Sequence, residues 1–201
     1  MAKVKWGGVI KDAAGYQRGK LPENAVKMDM PGTIGEMMTR ALPFVIPSIV
    51  ILCTTMFVKT WMSRAVVIDP LFVLLGFAVG FLLLFAHELL HAAAYPSGAE
   101  VTIGIMPKQL AAVALVSYPL SRGRFAFMSL IPLLLGAAPL AAFAVSPPEM
   151  RAFNGFMFGV SIMGMASVYP DVYNVYQVLN QVPKGASVQF YGDDMYWFSD
   201  K

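Results

Sequence analysis

Apolar side chains run for the length of a bilayer crossing in four places, about residues 41–61, 70–95, 125–145 and 152–179. A helix needs about 20 such residues to cross the hydrocarbon layer, so the pattern predicts about four transmembrane helices. Pro43 and Pro47 fall in the opening turns of the first, where a missing N–H does little harm. Pro132 and Pro139 fall inside the third, where neighbouring helices can satisfy the freed carbonyls. Between spans two and three the pattern changes. Residues 97–124 are rich in Gly and Pro yet still apolar, and Val101-Thr102-Ile103-Gly104-Ile105 alternates like a strand. Pro107-Lys108-Gln109 reads as a turn, and Ala112 to Tyr118 as a returning strand. Two readings stay open here. One is an ordinary interfacial loop. The other is a membrane-dipping β-hairpin whose free edge pairs with an extended substrate at Val101, Ile103 and Ile105.

Both ends of the chain are polar. Leu21 to Lys27 reads as a turn entering a short strand, and residues 31–40 as an amphipathic approach to the first span. In the tail, Ser187 to Tyr191 and Met195 to Phe198 flank Gly192-Asp193-Asp194, a hairpin signal. Val182-Pro183-Lys184-Gly185-Ala186 loosely echoes Leu21 to Ala25, which suggests that the two ends share one small sheet. The expected fold class is an all-α membrane protein: a 41–179 transmembrane domain between cytosolic, β-like segments 1–40 and 180–201.

Composition agrees with the pattern. The chain is 57% hydrophobic and 13% charged, with mean hydropathy +0.61, whereas soluble domains carry about 25% charged residues. Cys53 is the single cysteine, so no internal disulfide exists. Basic residues are scattered without interleaved aromatics, which argues against nucleic acid as a partner. The first 40 residues hold no early apolar core of a cleavable signal, so the first span is expected to direct insertion. With four spans, every Lys and Arg except Lys59, Arg64 and Arg151 lies on the side of the termini. The positive-inside bias therefore predicts both termini in the cytoplasm.

The chemistry lies in span two. His87-Glu88-Leu89-Leu90-His91 is H-E-x-x-H, and these are the protein's two histidines. On a helix, positions i and i+4 share a face, so both imidazoles can grip one metal ion while Glu88 serves a water as general base. A catalytic zinc commonly takes three protein ligands. Ionisable groups in mid-membrane cost roughly 2.5–3.5 kcal/mol, and only Glu88 and Asp171 are acids well inside the spans. His87 lies 17 residues past Pro70 and Asp171 lies 19 past Ala152. At about 1.5 Å per residue the two differ in depth by about 3 Å. Asp171 is therefore the expected third ligand, at a kink made by Tyr169-Pro170-Asp171. Asn174, one turn on, is expected to orient a ligand or the substrate. Gly76-x-x-x-Gly80 and Gly155-x-x-x-Gly159 read as packing seams between spans two and four. The methionines do not cluster with His or Cys, so they read as apolar filler rather than copper ligands.

HELLHA in a membrane span, a later Asp171-Val172-Tyr173-Asn174, and a tail with Val182-Pro183-Lys184-Gly185-Ala186 and Tyr196-Trp197-Phe198 together resemble the bacterial zincin peptidases. That family of domains of unknown function is similar in layout to the site-2 proteases. The resemblance covers roughly residues 60–200. It implies Zn2+ on His87, His91 and Asp171, with Glu88 as the catalytic base. It departs at one point: site-2 proteases follow the Asp with Gly, and here Val172 follows. The expected function is an intramembrane zinc metalloprotease acting on a membrane protein or membrane peptide, in the bacterial plasma membrane. The alternative is a non-proteolytic membrane scaffold or binding protein with a structural metal. Metal transport is disfavoured, because no polar path continues across the spans.

Overall fold

The structure is a computed structural model that describes residues 2–107 and 111–199. Lys108 and Gln109 of the expected turn lie outside the described residues, as does Lys201. Eight helices are described: α1 (Ile34–Ala41), α2 (Ile46–Ser63), α3 (Pro70–Leu82), α4 (Leu84–Ala94), α5 (Arg122–Leu130), α6 (Leu134–Val145), α7 (Arg151–Ala166) and α8 (Tyr169–Gln181). Seven strands accompany them: β1 (Lys3–Val9), β2 (Val26–Lys27), β3 (Glu100–Met106), β4 (Ala111–Leu115), β5 (Leu120–Ser121), β6 (Ser187–Tyr191) and β7 (Asp194–Phe198).

The all-α expectation is overturned. Strands take 17% of the described residues against 57% helix, and they form two sheets, β1-β3-β4 and β2-β7-β6-β5. The cause is long-range pairing. β3 and β4 pair antiparallel with Ile103 opposite Ala114, and β1 joins β3 in parallel with Lys3 opposite Glu100. The second sheet unites the ends of the chain, with Val26 opposite Trp197 and Leu120 opposite Val188. The β6–β7 turn needs Gly192, whose φ of +62° lies in the left-handed region.

The chain divides into two compact units, residues 1–41, 88–131 and 170–201 in one and 42–87 and 132–169 in the other. The division passes through α4 between His87 and Glu88. In the first unit, Val101 and Ile103 of β3, Phe125 and Met128 of α5, Val178 of α8 and Val188 of β6 are buried together. In the second unit, Leu52, Leu140, Phe143 and Met165 form the core.

Glycine packs the second unit. A Cβ on Gly76 would stand 2.1 Å from the Phe156 carbonyl oxygen, and one on Gly159 would stand 2.1 Å from that of Val73. The two small-residue stripes therefore face each other along α3 and α7, as expected of close helix packing. Asp69 starts α3 by accepting from Leu71 N at 2.9 Å, with Pro70 at the first helical position. Lys59 is buried on α2 and donates to Ser146 O at 2.8 Å and Asn154 Oδ1 at 3.2 Å. These bonds, and one to Phe143 O, satisfy an ammonium that would otherwise be costly in apolar surroundings. The unit's outer side chains are apolar: Phe57, Trp61, Leu71, Leu74 and Leu82 are all exposed.

Three helical stretches are long and apolar enough to cross a membrane: 34–63, 122–145 and 151–181. A fourth, α3 with α4, qualifies as one span bent by 41°. Span two is thus a bent pair rather than the single straight helix that its composition suggests. No proline stands at the bend, and nothing in the local sequence requires it. A break also separates α7 from α8, at Ser167-Val168.

Candidate metal centre

α4 is mostly Ala and Leu and has no Gly or Pro, which favours a regular helix, so His87 and His91 fall one turn apart. Both imidazoles are buried, at 5% and 7% exposure. The ligating atoms of His87, Glu88 and His91 all lie within 4.8 Å of one another, a group able to hold a metal ion.

Each imidazole is oriented by a neighbour. His91 Nδ1 lies 2.9 Å from the carbonyl oxygen of Met128 on α5. A carbonyl can only accept, so Nδ1 carries the proton and donates it. The neutral ring then has its lone pair on Nε2, the atom left to ligate. Nε2 faces Asp171 Oδ1 at 3.3 Å. Asp171 sits in the first turn of α8, just past the α7–α8 break. Two electron-rich atoms at this distance need a cation or a proton between them. Tetrahedral zinc with bonds of about 2.0–2.1 Å sets its ligand atoms about 3.3 Å apart, so the pair fits two corners of such a site. His87 Nδ1 lies 3.5 Å from Ser167 Oγ, the outer limit of a hydrogen bond.

Asn174 follows Asp171 by one turn of α8, and its Oδ1 is buried without a hydrogen-bond partner. Buried polar atoms are rarely left so. An acceptor in that position is available to a water or to a substrate N–H.

The hairpin residues stand differently. Val101 and Ile103 are buried at 0% and 1%, while Ile105 is 43% exposed. β3 is the middle strand, paired on both sides, so its edge is not free to take up a peptide. The outer edge of this hairpin is β4. Sequence reasoning missed three contributors: the Met128 carbonyl, Ser167, and Arg124, which binds the end of α4. A backbone carbonyl leaves no mark in a sequence, so Met128 could not have been found. Arg124, a cation beside an apolar span, was the one visible signal.

Two buried imidazoles one helical turn apart, with a carboxylate next to the first, follow the pattern by which the HExxH metallopeptidases hold their metal. The chain belongs to the family described as "Putative zincin peptidase", whose model matches residues 80–187. That match takes in α4, the β3–β4 hairpin, α5 to α8 and the start of β6. It makes the protein a member of a zinc metallopeptidase family. No curated protein and no solved structure matches the chain.

Proposed function

We propose that this chain is an intramembrane zinc metalloprotease that hydrolyses a peptide bond of a membrane-embedded substrate. The observation that carries the reading is the approach of Asp171 Oδ1 to His91 Nε2 at 3.3 Å, with Nδ1 already committed to Met128. In this reading His87, His91 and Asp171 hold the ion. Zinc, when bound, supplies a Lewis acid that polarises the scissile carbonyl and acidifies water. Glu88 accepts the water's proton on a carboxylate oxygen and delivers it to the leaving amine. Ser167 and the Met128 carbonyl hold the imidazoles in orientation, and Asn174 Oδ1 accepts a substrate N–H. An extended substrate would align along β4, near the exposed Ile105, while Val101 and Ile103 support the hairpin from the core.

The membrane setting is supported by the apolar outer side chains of α2 and α3 and by the lengths of the helical stretches. The reading places the chain in the bacterial plasma membrane with both termini in the cytoplasm. In right-side-out vesicles a C-terminal tag should resist added protease, and digestion of the tag there would reverse the orientation.

The function is tested on purified protein reconstituted with a transmembrane substrate. About one zinc per chain is expected, with cleavage lost on chelation and restored by added zinc. Cleavage that persists in fully metal-free protein would sink the proposal.

A further inference from the structure

We propose that Arg122 and Arg124, on the first turn of α5, bracket the ends of α4 and α8 and so set the spacing of the two halves of the metal site. The inference rests on the metal reading above. It makes both arginines positioning residues.

The contacts are specific. Arg124 donates to the carbonyl oxygen of Ala94, the last residue of α4, from Nη2 at 2.7 Å and Nε at 3.2 Å. Arg122 donates from Nη2 to the carbonyl oxygen of Leu179, in the last turn of α8, at 2.9 Å. Helix C-termini end in carbonyls without intrahelical partners and carry partial negative charge. Two guanidinium groups two residues apart thus hold the helix that carries His91 and the helix that carries Asp171.

The bracket stands on a fixed base. Ser121 caps α5 by accepting from Arg124 N at 3.3 Å, and Ser121 also pairs with Ser187 in the second sheet. Arg122 N donates to Ala186 O at 3.1 Å. One turn along α5 from Arg124 comes Met128, whose carbonyl accepts the hydrogen bond from His91 Nδ1. Arg124 and Met128 therefore grip Ala94 and His91 in antiparallel order, so a shift at Ala94 moves the imidazole. Arg122 Nε is buried without a partner.

The test uses the full chain in detergent, with Cys53→Ser and spin labels at Leu89→Cys on α4 and Asn180→Cys on α8. Distances are measured by pulsed electron spin resonance on metal-free protein, and zinc affinity by chelator competition on the unlabelled chain. Arg122→Met and Arg124→Met should keep helix content, broaden the α4–α8 distance distribution and weaken zinc binding about tenfold or more. Arg124→Lys, which restores the cation at the end of α4, should recover most of both. If a methionine variant fails to fold, the glutamine variant, which keeps one donor, takes its place under the same criteria. Unchanged distances and unchanged zinc affinity would overturn the bracket while leaving the metal site intact. A wild-type chain that takes up no zinc would overturn the metal reading, and the proposal with it.

Discussion

Glu88→Gln is expected to retain zinc and to lose cleavage of a transmembrane substrate by about 10²- to 10⁴-fold, the range that a positioned general base supplies. The substitution keeps the shape of the side chain and removes only its ability to take a proton. Zinc should be retained because His87, His91 and Asp171 remain, and Glu88 is not among the proposed ligands. The carboxylate of Glu88 lies with the two imidazole nitrogens inside the 4.8 Å group, close enough to serve a water held there. Glu88→Asp keeps the base but draws it back by one methylene, so its rate should fall between wild type and Gln. The check is single-turnover cleavage at full zinc loading. Wild-type cleavage by Glu88→Gln would remove Glu88 from the chemistry and end the proposed mechanism.

His91→Ala is expected to lower zinc affinity by more than about 100-fold, because residues that only orient a ligand already account for about 10- to 100-fold. The side chain removed is buried and bonded to the Met128 carbonyl on one side and paired with Asp171 on the other. Asp171→Asn tests the third ligand. It keeps the size of the side chain and removes the negative charge, so it should match His91→Ala in lost affinity. Zinc analysis with chelator competition on the three proteins decides it. If Asp171→Asn binds zinc like wild type while His91→Ala does not, Asp171 merely orients His91, and another group completes the site.

The HExxH helix could be read in the sequence because its geometry is local: four residues of helix bring two imidazoles to one face whatever surrounds them. Asp171 was legible for a different reason. Apolar surroundings penalise a carboxylate, so an acid inside a span marks itself, and the depth of its position selected it as a partner for the motif. The structure brings Asp171 beside His91 in one compact unit, and α8 opens just before it. The small-residue stripes on α3 and α7 were legible on the same grounds, since glycine at a four-residue spacing has little use in a helix except close approach. The tail hairpin announced itself through Gly192, and the sheet shared by β2 and β7 through a faint echo between the two ends.

The three-stranded sheet of the first unit was legible only in part: β3 and β4 follow stretches that read as strands, and β1 does not. Lys3-Val4-Lys5-Trp6 alternates over too few residues, and Gly7-Gly8 interrupts it, so β1 carries no clear strand signal. Its parallel partner β3 lies almost a hundred residues away, and no local pattern records that pairing. Burial of β3 between two strands then removed the free edge that its own sequence suggested, because a strand's availability depends on its neighbours. The bend between α3 and α4 is also a tertiary result, with no proline to signal it. Side-chain type and helical spacing alone mark out the HExxH helix, an acid at matching depth and the apolar spans. Long-range folding sets which nitrogen of His91 bonds to the Met128 carbonyl, which strand lies at the sheet edge and which arginines reach the ends of α4 and α8. Those outcomes depend on backbone carbonyls and long-range partners, and neither is written in the identity of any single residue.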